Sequence, residues 1–364
     1  MDEIIIPRPL QIVVDDMGWF CPNDDREKGG PSRTAMCRRH TSYDYEAINR
    51  LGETLNMKIN CAFVIGEWDP DNRLRDVKHL SKWGNDWDNL SYLDREELAK
   101  CVDSINNSPF IDLAVHGLMH GYYIENTDNP DVSDYYFFRH GKLFMIPEDE
   151  VRYRLDSFFD ILKYHGIKKT VNSFVPPSFR VRWGELSKIL ADYGIRYVST
   201  IYQFLESDGE KPVNVGIENG IVTLDRNNNL IPWNEISTDF SKLPMTSGIF
   251  GAHWPNFLHA DPERNFEIID NAVEYFKKCG EQFGTVLSSD MGFCSNQSLY
   301  ERFATLRETT IDISRVPLKG ESFIVSSKCK ISSCDGASFN LIDTHKGFFN
   351  YEILPESTLI KINN

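Results

Sequence analysis

The regular alternation of apolar, β-rich runs with amphipathic stretches is the feature that most constrains this fold. The apolar runs include LQIVVDD, INCAFVIG, FIDLAVH, VNSFVPP, IRYVSTI, SGIFGAH and GTVLSSD. The stretches with helical spacing of apolar residues are 43–57, 94–104, 148–165, 182–193 and 262–279. Strands that alternate with helices are typical of βα units. The sequence therefore predicts an α/β fold built on a parallel sheet or barrel.

The pattern changes near residue 309, where short alternating strands are separated by turn residues. This change predicts two parts: an α/β domain over residues 1–308 and a small antiparallel β-domain over 309–364. The first part carries long inserts near 66–95 and 121–147. A chain of 364 residues has the length of one large barrel with a small appendage.

Composition excludes some partners. The chain has 39 basic and 54 acidic residues and a net charge of -15, which argues against binding to nucleic acid or to an anionic membrane surface. No run approaches the roughly 18 apolar residues of a spanning helix, and the acidic N-terminus does not resemble a secretory signal. The eight cysteines form no C-x-x-C pair, which is typical of reduced thiols. We therefore expect a cytoplasmic protein, with its oligomeric state left open.

Two motifs at strand ends indicate a metal site. Asp15 and Asp16 end one apolar run in VVDDMG, and His116 and His120 follow another run in AVHGLMHG. The carboxyl ends of parallel strands meet at one mouth, so these groups can converge. Two carboxylates and two imidazoles suit zinc, cobalt or nickel, with one aspartate binding the ion and its neighbour accepting a proton. Alone, each pair is also compatible with a helix cap or with surface histidines; their succession favours the metal site.

A further histidine, His253, ends a late strand in GIFGAHWPNFLH, where it could meet the ion from the opposite wall. Imidazole titrates near neutral pH, so this side chain could protonate a leaving amine. His259 is the competing candidate. Because His259 lies past the strand end, a surface role is expected for it.

These residues give the chain a resemblance to the polysaccharide deacetylases, the NodB-homology group also described as carbohydrate esterase family 4. VVDDMG, HGLMH and FGAH resemble three motifs of that family, in its order, over roughly residues 10–290. The resemblance implies an irregular parallel (β/α) barrel of about seven strands. It also implies these roles: Asp15 as general base, Asp16, His116 and His120 as metal ligands, and His253 as general acid.

Two motifs of the family are altered here. The R-x-P-x-G motif corresponds best to FVPPSF, where Phe174 stands in place of the arginine that orients the catalytic aspartate. We expect Arg180 or Arg182 to substitute for it. The D-x-x-D-W motif has no clean counterpart. Asp239, in IPWNEISTDF, is the expected partner of the histidine acid.

The resemblance implies a metal-dependent hydrolase that removes an N-acetyl or other N-acyl group from a carbohydrate. One divalent ion is expected, zinc first, with cobalt, nickel or manganese as alternatives. Aromatic and proline side chains suited to a sugar face are the expected substrate contacts, namely Trp19, Trp68, Trp87, Pro177, Trp233 and Trp254. Two alternatives stay open: a deformylase or other amide hydrolase acting on a nucleotide- or lipid-linked sugar, and a glycan-binding protein with a decayed site.

Overall fold

The computed structural model describes residues 4–20, 34–81, 84–91, 93–125, 127–128, 133–226, 230–318, 321–345 and 347–363. The α-helices in these ranges are α1 (Ser42–Leu55), α2 (Arg95–Asn107), α3 (Glu148–Tyr164), α4 (Leu186–Asp192), α5 (Asn265–Gly280) and α6 (Met291–Phe303). No helix in the described part of the chain combines the length and the apolar character that crossing a membrane requires.

The strands fall into two groups along the chain. Those up to residue 290 are β1 (Ile4–Ile5), β2 (Arg8–Met17), β3 (Ile59–Val64), β4 (Ile111–Gly117), β5 (Tyr136–Arg139), β6 (Lys142–Met145), β7 (Val171–Phe174), β8 (Val181–Arg182), β9 (Tyr197–Thr200), β10 (Leu205–Glu206), β11 (Val215–Glu218), β12 (Ile221–Asp225), β13 (Ile249–His253) and β14 (Thr285–Leu287). Those after it are β15 (Thr305–Arg307), β16 (Thr310–Asp312), β17 (Phe323–Ser327), β18 (Ser333–Asp335), β19 (Ala337–His345), β20 (Phe348–Pro355) and β21 (Leu359–Asn363).

The central sheet has the strand order β11-β12-β9-β7-β4-β3-β2-β13, with β14 also paired to β2. Every neighbouring pair is parallel except β11 and β12, which confirms the predicted α/β class. The sheet curls into a half-barrel. In the described residues a single parallel bridge, between Leu230 and Gly251, links the segment after β12 to β13. The closed barrel of about seven strands stays a prediction.

Both faces of the curled sheet are buried, which explains why its strands read as continuous apolar runs. On β2, Ile12 and Val14 belong to the larger apolar cluster, and Val13 belongs to a second cluster that includes residues of α6. Helix α1 contacts α2 and α5, whereas α6 contacts β2, β9, β11 and β12. Ala62 and Ala114, which are paired across β3 and β4, belong to the same second cluster as Val13.

The last strands form two antiparallel sheets of four strands, ordered β1-β17-β20-β19 and β15-β16-β21-β18. Their antiparallel pairing agrees with the predicted β-rich end of the chain. The predicted boundary at residue 308, however, falls inside the β15–β16 hairpin. In addition, β1 from the start of the chain pairs with β17. The β-rich part therefore begins directly after α6 and includes a strand from the N-terminus.

The two inserts differ in structure. The insert near 66–95 is held by short 3₁₀ turns, at Gly66–Trp68, Arg73–Asp76 and Gly84–Asp86. The insert near 121–147 contains the β5–β6 hairpin. Tyr135 and Tyr136 at the base of this hairpin are buried. The second insert is therefore anchored in the core.

A buried carboxylate, Asp44, organises the start of α1. Its two oxygens accept hydrogen bonds from the Arg38 guanidinium at 2.9 and 2.7 Å, from the Thr41 amide at 3.0 Å and from the Asn265 side chain at 2.8 Å. The His40 Nδ1 atom lies 3.0 Å from the same carboxylate. Burial alone raises the pKa of Asp44, but the contacts with His40 and Arg38 outweigh it and hold the pKa below its usual value. The carboxylate is therefore charged at neutral pH and joins the loop after β2 to α1 and α5.

We predict that Asp44→Asn lowers the free energy of unfolding by about 3 kcal/mol, because it leaves a largely buried guanidinium without its charged partner. Asp270→Asn, which removes an exposed partner of Arg50, should change it by less than about 1 kcal/mol. Urea denaturation at pH 7 measures both. Because the folded pKa of Asp44 lies below the unfolded value of 3.8, its contribution is lost as pH falls, and the difference from wild type should narrow below about pH 4. Equal losses in the two variants would contradict this role.

Candidate metal centre

The candidate centre lies where neighbouring parallel strands end. Asp15 and Asp16 lie near the end of β2, His116 near the end of β4, and His253 is the last residue of β13. Strands β4, β3, β2 and β13 are consecutive in the sheet, and His253 is directly paired in register with Asp15. The fold therefore brings the predicted residues of three separate motifs to one edge.

A bulge explains how two adjacent aspartates can serve one site. In a regular strand, neighbouring side chains point to opposite faces. The register between β2 and β3 shifts between Val14 and Met17, and Asp16 has a left-handed backbone with φ of 61°. Such a bulge changes the direction of side chains at a strand end. Asp15 and Asp16 consequently contact different partners within the same buried region.

Asp16, His116 and His120 form a compact group of potential metal ligands, whose donor atoms all lie within 4.8 Å of one another. The Asp16 Oδ1 atom is 3.4 Å from His116 Nε2 and 3.8 Å from His120 Nε2. All three side chains are buried. Carboxylate oxygen and imidazole nitrogen are typical donors for zinc and similar divalent ions, so this group could bind a metal ion.

The surroundings of these atoms suit such an ion. Asp16 Oδ1 is buried, and among the described residues it has no partner with hydrogen-bond geometry. His116 Nδ1 lies 2.7 Å from the Val175 carbonyl oxygen, an acceptor that fixes the proton on Nδ1 and leaves a lone pair on Nε2. Burial raises the pKa of Asp16, but its contact with His116 and the electrostatic effect of the nearby imidazoles lower it overall. Burial lowers the pKa of His116, whereas Asp16 reverses this effect and raises it.

Asp15 is held by an arginine that sequence analysis missed. Arg226 Nη1 donates to Asp15 Oδ2 at 2.6 Å, and Nη2 donates to Oδ1 at 2.9 Å. Its Nε donates to Ser199 Oγ at 3.0 Å, and its guanidinium lies 5.0 Å from the centre of the Phe179 ring. Both members of the pair are buried. The bidentate geometry fixes the plane of the Asp15 carboxylate.

The expectation that Arg180 or Arg182 takes this role is therefore corrected. The Arg180 guanidinium lies 4.3 Å from the centre of the Phe204 ring, and Arg182 donates to Asp208 at 2.6 Å. Arg226 comes immediately after β12, outside the motif in which an arginine was expected. The sequence feature that could have pointed to Arg226 is its position directly after the β-rich run IVTLD, at a strand end.

His253 completes the group on its more open side. Its Nε2 atom is 3.9 Å from Asp16 Oδ2, and its side chain is 11% exposed, compared with 2% for His116. The Ile231 carbonyl oxygen lies 2.8 Å from His253 Nδ1, so this carbonyl orients the ring. The expected partner Asp239 instead caps an exposed turn, where it accepts from the Ser241 amide and pairs with Lys242 at 2.9 Å. The prediction for Asp239 was wrong.

His259 lies beyond the strand end, as expected, and its Nδ1 accepts a hydrogen bond from the Asp261 amide at 2.9 Å. It is partly exposed. Its backbone amide donates to Asn265 Oδ1 at 2.8 Å, and its carbonyl oxygen accepts from the Arg38 guanidinium at 3.0 Å. His259 is therefore separate from the three-ligand group.

Most of the predicted sugar contacts are buried in the core. Trp19, Trp68 and Trp254 have no exposed surface, and Trp87 and Pro177 are also buried. Trp68 donates to the Gly18 carbonyl at 2.6 Å, and Trp254 stacks on His40 with ring centres 3.9 Å apart. Such side chains cannot stack on a sugar in this conformation, so they pack the core beneath the strand ends instead. Trp233 is the one residue of the predicted set that is partly exposed.

Comparison with known proteins gives distant likenesses. No protein-family model matches the chain, and no curated protein matches it. A solved structure from Mycobacterium smegmatis, described as a "putative polysaccharide deacetylase", is 13% identical over 73% of this chain and 81% of that chain, with a TM-score of 0.41. A 4-alpha-glucanotransferase from Thermococcus litoralis is 14% identical over 77% of this chain and 38% of that chain, with a TM-score of 0.39. These likenesses are too distant to indicate an activity.

We predict that Arg226→Met lowers the free energy of unfolding by about 3 to 5 kcal/mol, because it leaves the buried Asp15 carboxylate without its partner. The double variant Asp15→Asn/Arg226→Met should be more stable than Arg226→Met, since it removes both charges. Arg50→Met, at an exposed pair, is the control. Chemical denaturation with a chelator present measures the wild type, the single variant Asp15→Asn and these three variants without a contribution from ion binding. Losses that simply add in the double variant would exclude direct coupling.

Proposed function

We propose that this protein is a divalent-metal-dependent hydrolase that removes an N-acyl group, most simply acetyl, from a carbohydrate. The observation that carries the proposal is that the two adjacent aspartates have different partners. Asp16 lies with the two histidines of the ligand group, and Asp15 lies outside that group in a bidentate pair with Arg226. One carboxylate is thus available to bind an ion and the other to accept a proton.

Asp16, His116 and His120 would hold the ion, for which zinc is the proposed identity and cobalt, nickel or manganese are alternatives. A divalent ion bound there would supply Lewis-acid polarisation of the scissile carbonyl. The protein contributes a preset geometry, because the Val175 carbonyl fixes the tautomer and orientation of His116. Burial of all three ligands excludes bulk water from the sides of the group.

Asp15 would act as the general base toward the attacking water. The Arg226 fork binds one lone pair on each of its oxygens, and each oxygen keeps a second lone pair that can accept a proton. The same fork keeps the positive charge next to Asp15. Arg226 therefore offsets the negative charge of Asp15, which would otherwise repel Asp16. It also fixes the orientation of the Asp15 carboxylate.

His253 would act as the general acid. With Nδ1 directed to the Ile231 carbonyl, its Nε2 atom faces Asp16 and can deliver a proton to the departing amine. It is also the most solvent-exposed of the five residues, so a leaving sugar amine on the open side would be within its reach. The products would be a carboxylate and an amino sugar.

The alternative of a glycan-binding protein with a decayed site rested on the missing arginine of the altered motif. Arg226 supplies the arginine contact to Asp15 instead, so this alternative is disfavoured. The deformylase alternative uses the same residues and differs in the acyl group and sugar. Given the net charge of -15, we propose a neutral N-acylated sugar over a polyanionic glycan.

The first test is metal content by elemental mass spectrometry on proteins purified identically, loaded with zinc and dialysed. We expect one ion per chain in the wild type, loss of the ion in His116→Ala/His120→Ala, and retention in His259→Ala, which alters a histidine outside the group. An ion-free wild type would refute the metal-dependent hydrolase.

The second test is release of acetate or formate from a panel of N-acetyl and N-formyl sugars, both free and nucleotide-linked. For the substrate that is cleaved, Asp15→Asn and His253→Gln should each lower kcat by about 10²- to 10⁴-fold, which is the usual contribution of a general base or acid. His259→Ala is again the control. Variants that bind the ion and retain full kcat would show that these two residues do not transfer protons.

A further inference from the structure

A further buried carboxylate, Asp134, contacts the turn that carries His120 of the metal-ligand group. Its Oδ1 atom accepts a hydrogen bond from the Met119 amide at 3.0 Å, and its Oδ2 atom accepts one from the His120 amide at 2.7 Å. The Asp134 side chain is fully buried. This residue comes from the insert between β4 and α3, 14 residues after His120 and outside every motif of the site.

The turn that carries His120 has an unfavourable backbone conformation, which hydrogen bonds to a carboxylate can stabilise. The chain leaves β4 through Gly117, with φ of 140°, and His120 itself has a left-handed backbone with φ of 57°. A left-handed conformation costs a non-glycine residue about 1 kcal/mol or more. Successive amides in a turn of this kind form a cradle for an anion, and the Asp134 carboxylate occupies it. The two hydrogen bonds thereby offset the unfavourable backbone of His120.

The approach of Asp134 depends on a glycine. A Cβ atom at residue 117 would lie only 2.2 Å from Asp134 Oδ2 and 2.8 Å from its Cγ. Any side chain at this position would therefore displace the carboxylate from the amides. The glycine in HGLMH thus has a physical role, because it allows the carboxylate to reach the turn between the two histidines.

Burial raises the pKa of the Asp134 carboxyl, and a buried arginine opposes part of that rise. Arg154 of α3, which is fully buried, interacts electrostatically with the carboxylate. Arg154 also donates to the Lys78 carbonyl at 3.3 Å and lies 3.4 Å from Glu150 Oε2. Asp134 is consequently fixed by hydrogen bonds to the ligand-bearing turn and attracted by a buried cation of α3.

We propose that Asp134 is a positioning residue that fixes His120 as a ligand of the metal centre. The proposal rests on the metal centre described under the proposed function and adds a residue that does not itself coordinate the ion. It also gives a role to the insert near 121–147, which supports the ligand group from behind.

The test measures the affinity for Co²⁺, using the visible absorption of the bound ion and competition with a chelator. The variants are Asp134→Asn, which keeps the shape of the side chain but replaces one acceptor oxygen by a donor, and Asp128→Asn as a matched control. Asp128 belongs to the same insert and also accepts a backbone amide hydrogen bond, from Gly141 at 2.8 Å, but it is exposed. Circular dichroism and thermal unfolding of the ion-free proteins establish that each variant is folded.

We expect Asp134→Asn to weaken Co²⁺ binding by at least about tenfold and to alter the absorption spectrum of the bound ion, because partners that orient ligands typically change affinity by about 10- to 100-fold. Asp128→Asn should bind as the wild type does. If Asp134→Asn does not fold, Asp134→Glu replaces it, since it keeps the charge and displaces the acceptor oxygens.

Wild-type affinity and spectrum in a folded Asp134 variant would overturn the inference and leave the proposed hydrolase intact. Absence of Co²⁺ binding by the wild type would overturn both. Weakened binding in the variant, together with a wild type that cleaves no N-acyl sugar, would support the positioning role while refuting the proposed function.

Discussion

The centre depends on burying two adjacent carboxylates without leaving their charges in direct competition. Two like charges at neighbouring positions repel each other strongly in a poorly solvated environment. In this protein the two carboxylates have different partners: Asp15 faces the Arg226 guanidinium, and Asp16 lies with His116 and His120 in a group that could hold a metal cation. The bulge at the end of β2 makes this possible, because it lets consecutive side chains contact different partners. Much of the surrounding structure serves to place those partners next to the two aspartates.

The sheet places these partners, which come from distant parts of the sequence, next to the aspartates. Parallel pairing of β4, β3, β2 and β13 brings His116 and His253 to the same edge as the aspartates, and the curl of the sheet brings the segment after β12 close enough for Arg226 to reach Asp15. Backbone carbonyls of Val175 and Ile231 then orient the two imidazoles. A backbone carbonyl can orient an imidazole without adding a further negative charge to the site.

Residues of the site differed in how far sequence could predict them. Asp15, Asp16, His116 and His253 end apolar runs, so their place at strand ends was predictable, and His120 follows His116 in the same short motif. Arg226 and Asp134 were missed because each lies outside the motif that it contacts, and only the fold shows which segments meet. The tryptophans were misassigned because composition does not distinguish a ring that stacks on a ligand from one that packs in the core. Trp68 and Trp254, for example, are completely buried. The role given to Asp239 failed for a related reason, since proximity along the chain to His253 did not lead to contact.

The sequence by itself determined the α/β alternation, the β-rich end of the chain and the residue types gathered at the strand ends. These features depend on local periodicity and on strand ends, which neighbouring residues specify. Tertiary structure alone decided which arginine neutralises Asp15, which carbonyl orients His253 and which carboxylate supports the turn of His120. Those contacts join residues far apart in the chain, and their energies depend on burial and on distances of a few ångströms that no local pattern encodes.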